Sequence, residues 1–236
     1  YITFTGNTVT GSDARLAVFS GDAHTLNNCA IGGYTINNNV FTDTIDVIAD
    51  NPVNVFLACT QNGSFNNNTV LSTGEATGTL VRDGWSHNSY SNNTIHVNKA
   101  VDDTRGAIAM VPGSIGGAPT YKTFSNNVVT AYNGKAHFHY LGTTGNVFQH
   151  NLFYTNSSVG DSITYTTETT DAGNILIFDH NTFVNKGTGP VVNFISDGLR
   201  NTNFHDNILV SASGSMVAGN TASRTLYTAN HNVYMN

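Results

Sequence analysis

The seven residues FQHNLFY at 148–154 return almost unchanged as FDHNTFV at 178–184. Further copies appear along the whole chain when each is anchored on its Asn: Asn7, Asn39, Asn68, Asn93, Asn127, Asn151, Asn181, Asn207 and Asn232. An aromatic or apolar residue stands three positions before each anchor, and another stands two positions after it. Successive anchors are 24 to 34 residues apart. Such self-similarity indicates one repeated structural unit whose loops vary in length.

Each unit contains short strand-like runs and almost no helical periodicity. The unit around Asn151 reads AHFHYLG, then NVF, then HNLFYT, and Gly, Asn, Asp or Pro separates such runs, as turns require. Three strands per turn with a right-handed crossover give a parallel β-helix. We therefore predict an all-β, single-stranded, right-handed parallel β-helix (solenoid) of about nine coils, one for each anchor, spanning residues 1–236 as a single domain.

Tyr1 and Asn236 both fall inside repeats. Because solenoids need polar caps at their ends, we expect uncapped ends and a chain that is part of a longer protein.

The anchor Asn is predicted to turn the corner between two strands. Asn tolerates the left-handed conformation better than other non-glycine residues, so we expect that conformation at the anchor. Its amide can also bond the same amide one coil above and below, which predicts an Asn ladder. The flanking apolar residues would then face inward. We expect an interior column of Phe65, Tyr90, Phe124, Phe148, Phe178 and Phe204.

This pattern resembles the right-handed parallel β-helix superfamily, the pectate-lyase-like fold, which has an Asn ladder at such a corner and stacked side chains inside. The resemblance covers the whole chain and implies contact with carbohydrate. Of the N-T-D, D-D and G-H-G motifs of its polygalacturonase-type hydrolases, only D-D at 102–103 is present. The clustered acids of the pectate-lyase Ca²⁺ site and its R-x-P-x-x-R are missing. We expect no cofactor; Ca²⁺ stays open as an alternative that no motif supports.

Composition limits the partners. Charged residues make up 10% of the chain, well below the usual quarter, and the net charge is −6. So few cations argue against nucleic acid and against an anionic membrane surface, and no run approaches the roughly 20 apolar residues of a membrane span. Richness in Asn and Thr favours an extracellular, cell-surface or virion-surface setting. Cys29 and Cys59 could form a disulfide or be two buried apolar residues.

The strand KAHFHYLG at 135–142 carries the most concentrated polar cluster. Phe138, Leu80 and Phe194 each lie ten residues before a core aromatic, so all three are predicted to face inward. Alternation along a strand then sends His137 and His139 outward together.

Two chemistries fit a groove along this strand. β-Elimination of a uronate needs a cation for the carboxylate and a base for the carbon-bound proton. Glycoside hydrolysis needs two opposed carboxylates, about 5 Å or 6.5–9.5 Å apart. The candidate catalytic residues are His137, His139, Lys135, Asp102, Asp103 and Arg105. The candidate substrate-binding residues are Arg82, Asp83, Trp85, Tyr140, Tyr165 and Glu168.

Four other histidines belong to the repeat itself. His150, His180 and His231 stand directly before an anchor, and His205 stands two positions before one. We predict structural roles at the corner for these four. His150 and His180 should stack at about 5 Å, a spacing that is weak evidence for a metal site by itself.

The sequence therefore predicts a secreted or surface β-helix that binds polysaccharide, with cleavage of lyase or hydrolase type left open. The alternative is a non-catalytic segment of a phage tailspike, fibre or adhesin, and a spike or fibre would be expected to form a homotrimer.

Overall fold

The computed structural model describes fifteen segments of the chain: residues 1–11, 15–20, 31–44, 53–58, 60–73, 77–82, 88–98, 107–111, 122–132, 138–141, 145–156, 163–166, 176–194, 202–219 and 227–236. Every regular element in these segments is a β-strand, and every strand pairing is parallel. Cys29 and Cys59, whose pairing was left open, lie outside the described residues.

Two nine-stranded sheets meet at the anchor corner. The first sheet contains the strands that precede the anchors: β1 (Ile2–Thr5), β5 (Tyr34–Asn37), β9 (Ser64–Asn66), β12 (Ser89–Ser91), β15 (Thr123–Ser125), β18 (Val147–Gln149), β21 (Leu176–Asp179), β24 (Thr202–His205) and β27 (Tyr227–Asn230). The second sheet contains the strands that follow them: β2 (Thr8–Gly11), β6 (Val40–Asp43), β10 (Thr69–Ser72), β13 (Thr94–Val97), β16 (Val128–Ala131), β19 (Leu152–Thr155), β22 (Thr182–Asn185), β25 (Ile208–Ser211) and β28 (Val233–Met235).

A third sheet of eight strands completes the coils. It contains β3 (Arg15–Ser20), β7 (Val53–Ala58), β11 (Thr77–Arg82), β14 (Ile108–Val111), β17 (Phe138–Leu141), β20 (Ile163–Thr166), β23 (Val192–Phe194) and β26 (Val217–Gly219). The short strands β4 (Ile31–Gly32) and β8 (Thr60–Gln61) pair separately. Each strand pairs with its equivalent in the next repeat, so the chain is a parallel β-solenoid, as the repeat predicted. Among the described residues, no helix has the length and apolar character needed to cross a membrane.

The predicted aromatic column is confirmed in the interior. Phe124, Phe148 and Phe178 are buried and stack with ring centroids 4.9 Å apart at each step, and Tyr90 stacks on Phe124 at 4.5 Å. Phe65 and Phe204 extend the column at its two ends. The column forms because residues three positions before successive anchors are paired in register across the first sheet.

The predicted Asn ladder is also present. From Asn7 to Asn207, the Nδ2 of each anchor donates to the Oδ1 of the next anchor at 2.9–3.2 Å. From Asn39 onward, each Nδ2 also donates at 2.7–3.0 Å to the carbonyl three residues before the previous anchor. The anchors from Asn39 to Asn207 are buried. Their amides thus satisfy backbone groups at a corner that water does not reach.

The left-handed residue was predicted at the wrong position. Positive φ occurs one residue earlier, at Gly6 and then, with φ between 53° and 58°, at Asn38, Asn67, Asn92, Asn126, His150, His180, Asp206 and His231. The backbone bends at this preceding residue, and its N–H donates a hydrogen bond to a carbonyl of the next coil. The Asn126 N–H, for example, donates to the Gln149 carbonyl at 3.1 Å. The bend leaves the anchor side chain pointing inward, where it forms the ladder.

Candidate functional site

Most of the predicted site on KAHFHYLG lies outside the described residues. The residues concerned are Lys135, His137, Asp102, Asp103, Arg105, Asp83, Trp85 and Glu168. His139, Tyr140, Tyr165 and Arg82 lie on described strands of the third sheet, where the backbone pairing gives their register. Whether these twelve residues form one site therefore stays a prediction.

Backbone register separates Phe138 from His139. Phe138 pairs with Ile108, which belongs to the buried core, and Ile108 is connected through Thr79 to the buried Val55, in a column of residues paired from strand to strand. His139 occupies the alternate column, which runs back through Ala109, Leu80 and Phe56 to Val18. Val18 is 49% exposed. His139 thus holds a register position of the outer face of the third sheet.

Leu80 was assigned to the wrong column. It was expected to share the register of Phe138, but it pairs with Ala109 and so lies in the column of His139. The residue of β11 in the Phe138 column is Thr79. Counting ten residues back from the core aromatic fails because the connections from the third sheet to the first differ in length. A slip of one residue moves a position to the opposite face.

Tyr140 and Tyr165 occupy an inner column. They pair with each other, and their column runs through Met110 and Val81 to the fully buried Leu57. Arg82 is the residue after Val81 on the same strand. Because successive positions of a strand alternate between the two faces of the sheet, Arg82 holds a position of the outer face. Of the four described candidates, the register places His139 and Arg82 on the outer face, two strands apart in the order β11-β14-β17.

A row of three rings that sequence analysis missed lies on the outer face of the second sheet. His96 of β13 and Tyr154 of β19 share one column, and Tyr132, just after β16, fills the gap between them. The His96 and Tyr132 ring centroids are 5.0 Å apart, and those of Tyr132 and Tyr154 are 5.6 Å apart. We call these three residues the aromatic row. All three are half-buried, so the rings remain accessible from solvent.

The His96 ring, at one end of the row, is fixed by a hydrogen bond and is partly buried. Its Nδ1 lies 2.8 Å from the Thr130 hydroxyl oxygen in the next strand. Burial lowers the pKa of His96 below its ordinary value, which favours the neutral ring at neutral pH. Alternation explains the outward position, since the neighbours Ile95 and Val97 are buried in the core. The sequence signal was present, because His96, Thr130 and Tyr154 each stand three residues after an anchor.

The surface beside the aromatic row is apolar or bears hydroxyl groups. The column directly after the anchors reads Thr8, Val40, Thr69, Thr94, Val128, Leu152, Thr182, Ile208 and Val233. Val40, Val128, Ile208 and Val233 are 37–51% exposed. Lys186 continues the column of Tyr132 two coils further on and is exposed. In the described part of the chain, the face therefore combines rings, methyl groups and hydroxyls with the nearby cation of Lys186.

A second cluster lies at the outer side of the corner, on β21, β24 and the residues that follow them. We call Asp179, His180, His205 and Asp206 the corner cluster. His205 Nδ1 lies 3.2 Å from Asp179 Oδ1 and 3.1 Å from Asp206 Oδ2. His180 Nδ1 also contacts Asp179 Oδ1. One ligand atom from each of Asp179, His180 and Asp206 lies within 4.8 Å of the other two.

Two further histidines flank the corner cluster. The predicted stacking of His150 on His180 is confirmed, with ring centroids 5.3 Å apart and planes 21° apart. On the other side, His231 Nδ1 lies 3.8 Å from Asp206 Oδ1. The hydrogen bond with His205, together with the nearby imidazoles, lowers the pKa of the Asp206 carboxyl. Sequence analysis treated these histidines as corner residues and did not foresee that two carboxylates join them.

Lys122 is a buried cation that sequence analysis also missed. Its side chain is fully buried five residues before an anchor, between Asn88 and Asn146 in the same stack. The backbone N–H of Lys122 donates to Asn146 Oδ1 at 2.7 Å, and Asn88 Oδ1 accepts from the Gly63 N–H at 3.0 Å. Each of these two amide oxygens thus accepts from a backbone N–H of the preceding coil, at the start of the first sheet. Their buried setting makes Lys122 part of the packing and not of a solvent-accessible site.

No family model matches this chain, and neither a curated protein nor a solved structure matches it. The parallel β-solenoid is consistent with the β-helix superfamily, and no specific member of that superfamily is identified.

Proposed function

We propose that this β-solenoid binds polysaccharide along the outer face of its second sheet, with the aromatic row as the contact for the sugar rings. The observation that carries the proposal is the continuous, half-exposed row formed by His96, Tyr132 and Tyr154. An extracellular, cell-surface or virion-surface setting, where such polymers occur, is part of the same proposal.

The chemistry of the row suits sugars. A pyranose ring has apolar C–H faces and a rim of hydroxyls, and tyrosine likewise combines a rigid apolar ring with a polar end. Tyr132 and Tyr154 would stack against C–H faces. The Thr130 hydroxyl, the His96 Nε2 and the two phenol hydroxyls would exchange hydrogen bonds with sugar hydroxyls, while His96 Nδ1 keeps its bond with Thr130.

The geometry favours a linear polymer over a compact ligand. The ring spacings of 5.0 Å and 5.6 Å follow the strand spacing of about 4.8 Å, so the row extends along the stacking direction of the strands. The row lies on the outer face of the second sheet, where all three side chains are half-buried. Lys186, exposed two coils beyond Tyr132, would meet a carboxylate if the polymer contains uronate.

The proposal can be tested by affinity electrophoresis and calorimetry against a panel of neutral and uronate polysaccharides. We expect Tyr132→Ala and Tyr154→Ala each to weaken binding to the best glycan by about tenfold or more, equivalent to about 1.4 kcal/mol. The matched control is Val184→Ala, because Val184 lies in the column of Tyr154 one strand further on but has no ring. Lys186→Gln should weaken binding to uronate polymers alone.

Two results would overturn the proposal. One is that no glycan in the panel binds. The other is that a glycan binds equally well to the parent and to the Tyr132→Ala/Tyr154→Ala double variant, which would place the binding surface elsewhere.

Cleavage of the bound polymer remains a separate proposal, because most of the candidate catalytic residues lie outside the described part of the chain. The products separate the two chemistries: a lyase creates an ultraviolet-absorbing unsaturated end, whereas a hydrolase creates only reducing ends. Binding without either product favours an adhesin or fibre segment.

One observation favours self-association as a second candidate function. The exposed apolar residues Val40, Val128, Ile208 and Val233 lie in one column of the same sheet face, in which Thr69, Thr94 and Thr182 also stand. In a spike or fibre this column would pack against copies of itself in a homotrimer. Light scattering on the purified chain gives the mass directly. A trimer disrupted by Val128→Lys would support the fibre role, and a concentration-independent monomer would exclude it for this chain.

A further inference from the structure

We infer that the corner cluster binds one divalent transition-metal ion, with Zn²⁺ as the best-fitting ion. Asp179, His180, His205 and Asp206 supply two carboxylates and two imidazoles on neighbouring coils. This inference is independent of the proposed glycan surface, which lies on the outer face of the second sheet.

The ligand types point to zinc. Zn²⁺ is bound in proteins by imidazole nitrogen and carboxylate oxygen, with bonds of about 2.0–2.2 Å. Neighbouring ligand atoms of a tetrahedral site with such bonds lie about 3.3–3.6 Å apart. The His205 nitrogen is 3.2 Å from the Asp179 oxygen and 3.1 Å from the Asp206 oxygen. A small movement of these side chains would therefore admit the ion between them.

Calcium fits the cluster less well. Ca²⁺ takes six to eight oxygen ligands, whereas half of the corner cluster offers nitrogen, which suits zinc, copper and nickel. Within the described residues, the side chains that contact the Asp179 and Asp206 carboxylates in ion pairs are histidines, with no Lys or Arg among them. A divalent cation would neutralise both carboxylates at once.

The backbone beneath the cluster is held in place. His180 and Asp206 both occupy left-handed corner positions, with φ of 53° and 55°. Their N–H groups bond the next coil, at 3.3 Å to the His205 carbonyl and 3.1 Å to the Asn230 carbonyl. The following anchors, Asn181 and Asn207, are buried in the ladder. Ligands on a rigid support need little reorganisation to bind an ion.

Accessibility is also adequate. The side-chain exposed fractions are 54% for His180, 24% for Asp179, 35% for His205 and 37% for Asp206. An ion can therefore enter from solvent, and water can complete its coordination. Because Asp179 and His180 belong to one coil and His205 and Asp206 to the next, the bound ion would link two coils and stabilise the folded chain.

The repeat itself supplies conservative variants for the test. The corner position of His180 and Asp206 is occupied by Asn in four other coils, at Asn38, Asn67, Asn92 and Asn126, with φ of 55–58°. His180→Asn and Asp206→Asn therefore remove a ligand while keeping a residue that this corner accepts. His150→Asn is the matched control, since His150 is at the same corner, one coil earlier, and is not among the histidines that form ion pairs with the Asp179 or Asp206 carboxylate.

The experiment titrates ZnCl₂ into the metal-stripped full chain by calorimetry and follows the melting temperature in parallel, with CaCl₂ as the comparison. We expect Asp206→Asn and His180→Asn each to lose one Zn²⁺ equivalent or to weaken it by at least about tenfold. Zinc should raise the melting temperature of the parent and of His150→Asn more than that of Asp206→Asn. Circular dichroism without metal checks that all variants are folded.

Three outcomes would overturn the inference. The parent could show neither zinc binding nor a zinc-dependent rise in melting temperature. Both ligand variants could bind zinc as the parent does, which would assign the binding to other histidines. Calcium could bind at the cluster in preference to zinc, which would contradict the choice of ion.

Discussion

Replacing Asn127 by Ala should remove the ladder contacts at the middle of the solenoid. The Asn127 Nδ2 donates to the Tyr90 carbonyl and to Asn151 Oδ1, each at 2.9 Å. Its Oδ1 accepts from the Asn93 backbone N–H at 3.0 Å and from Asn93 Nδ2 at 2.9 Å. The residue is 2% exposed, so water cannot readily replace these bonds.

The expected loss follows from the groups left without this partner. The Tyr90 carbonyl, the Asn93 N–H and one hydrogen of the Asn93 amide each lose a bond. Asn151 Oδ1 keeps the bond from the Asn127 backbone N–H at 2.9 Å. A buried group left unsatisfied costs about 1–3 kcal/mol. Since neighbouring groups relax in part, we expect the free energy of unfolding to fall by about 3–5 kcal/mol.

Equilibrium unfolding in urea, followed by circular dichroism, measures this loss. The matched control is Asn7→Ala at the end of the ladder. The Asn7 amide donates to the exposed Thr5 carbonyl and to Asn39 Oδ1, and Asn39 Oδ1 keeps a second bond from the Asn7 backbone N–H. We expect this control to cost less than about 1 kcal/mol. Equal losses in the two variants would refute the view that the buried ladder stabilises the fold.

Two further predictions concern the core and the aromatic row. Phe148→Ala should lower the unfolding free energy by about 3–5 kcal/mol, because the ring is fully buried and stacked 4.9 Å from both neighbours; a loss below about 1 kcal/mol in urea unfolding would contradict its place in the core. His96→Gln should reduce the loss of stability on acidification. Because burial lowers the pKa of His96 in the folded state, the unfolded chain binds more protons below about pH 6.5, so the contribution of His96 is complete above that pH and declines as the pH falls through this range. Melting temperatures of parent and variant at about pH 7.5 and pH 5 test this, and an identical decrease in both proteins would count against it.

The repeat, the core column and the ladder could all be predicted from the amino-acid sequence alone. Each of these depends on residues at constant distances from an anchor, as Phe148 and Phe178 stand three positions before Asn151 and Asn181. When every coil turns the same corner in the same way, equivalent positions must stack. The position of a residue relative to its anchor therefore also tells which residues it contacts in the neighbouring coils.

Backbone conformation within the corner was decided only by the structure. Asn occupies both the anchor and the position before it in several repeats, as at Asn126 and Asn127. Composition could not say which of the two residues takes the positive φ. The structure assigns it to Asn126, because the bend there turns the Asn127 amide toward the buried ladder.

Register in the third sheet and the assembly of both candidate surfaces also required the tertiary structure. Loops of different length separate the third sheet from the corner, so Leu80 could not be assigned to a column by counting. Asp179 meets His205 only because β21 and β24 pair in that register, and Tyr132 reaches His96 only across neighbouring strands. The physical reason is common to these cases: periodicity along the chain encodes the position of a residue within its coil, whereas contacts between coils depend on strand pairing and loop length.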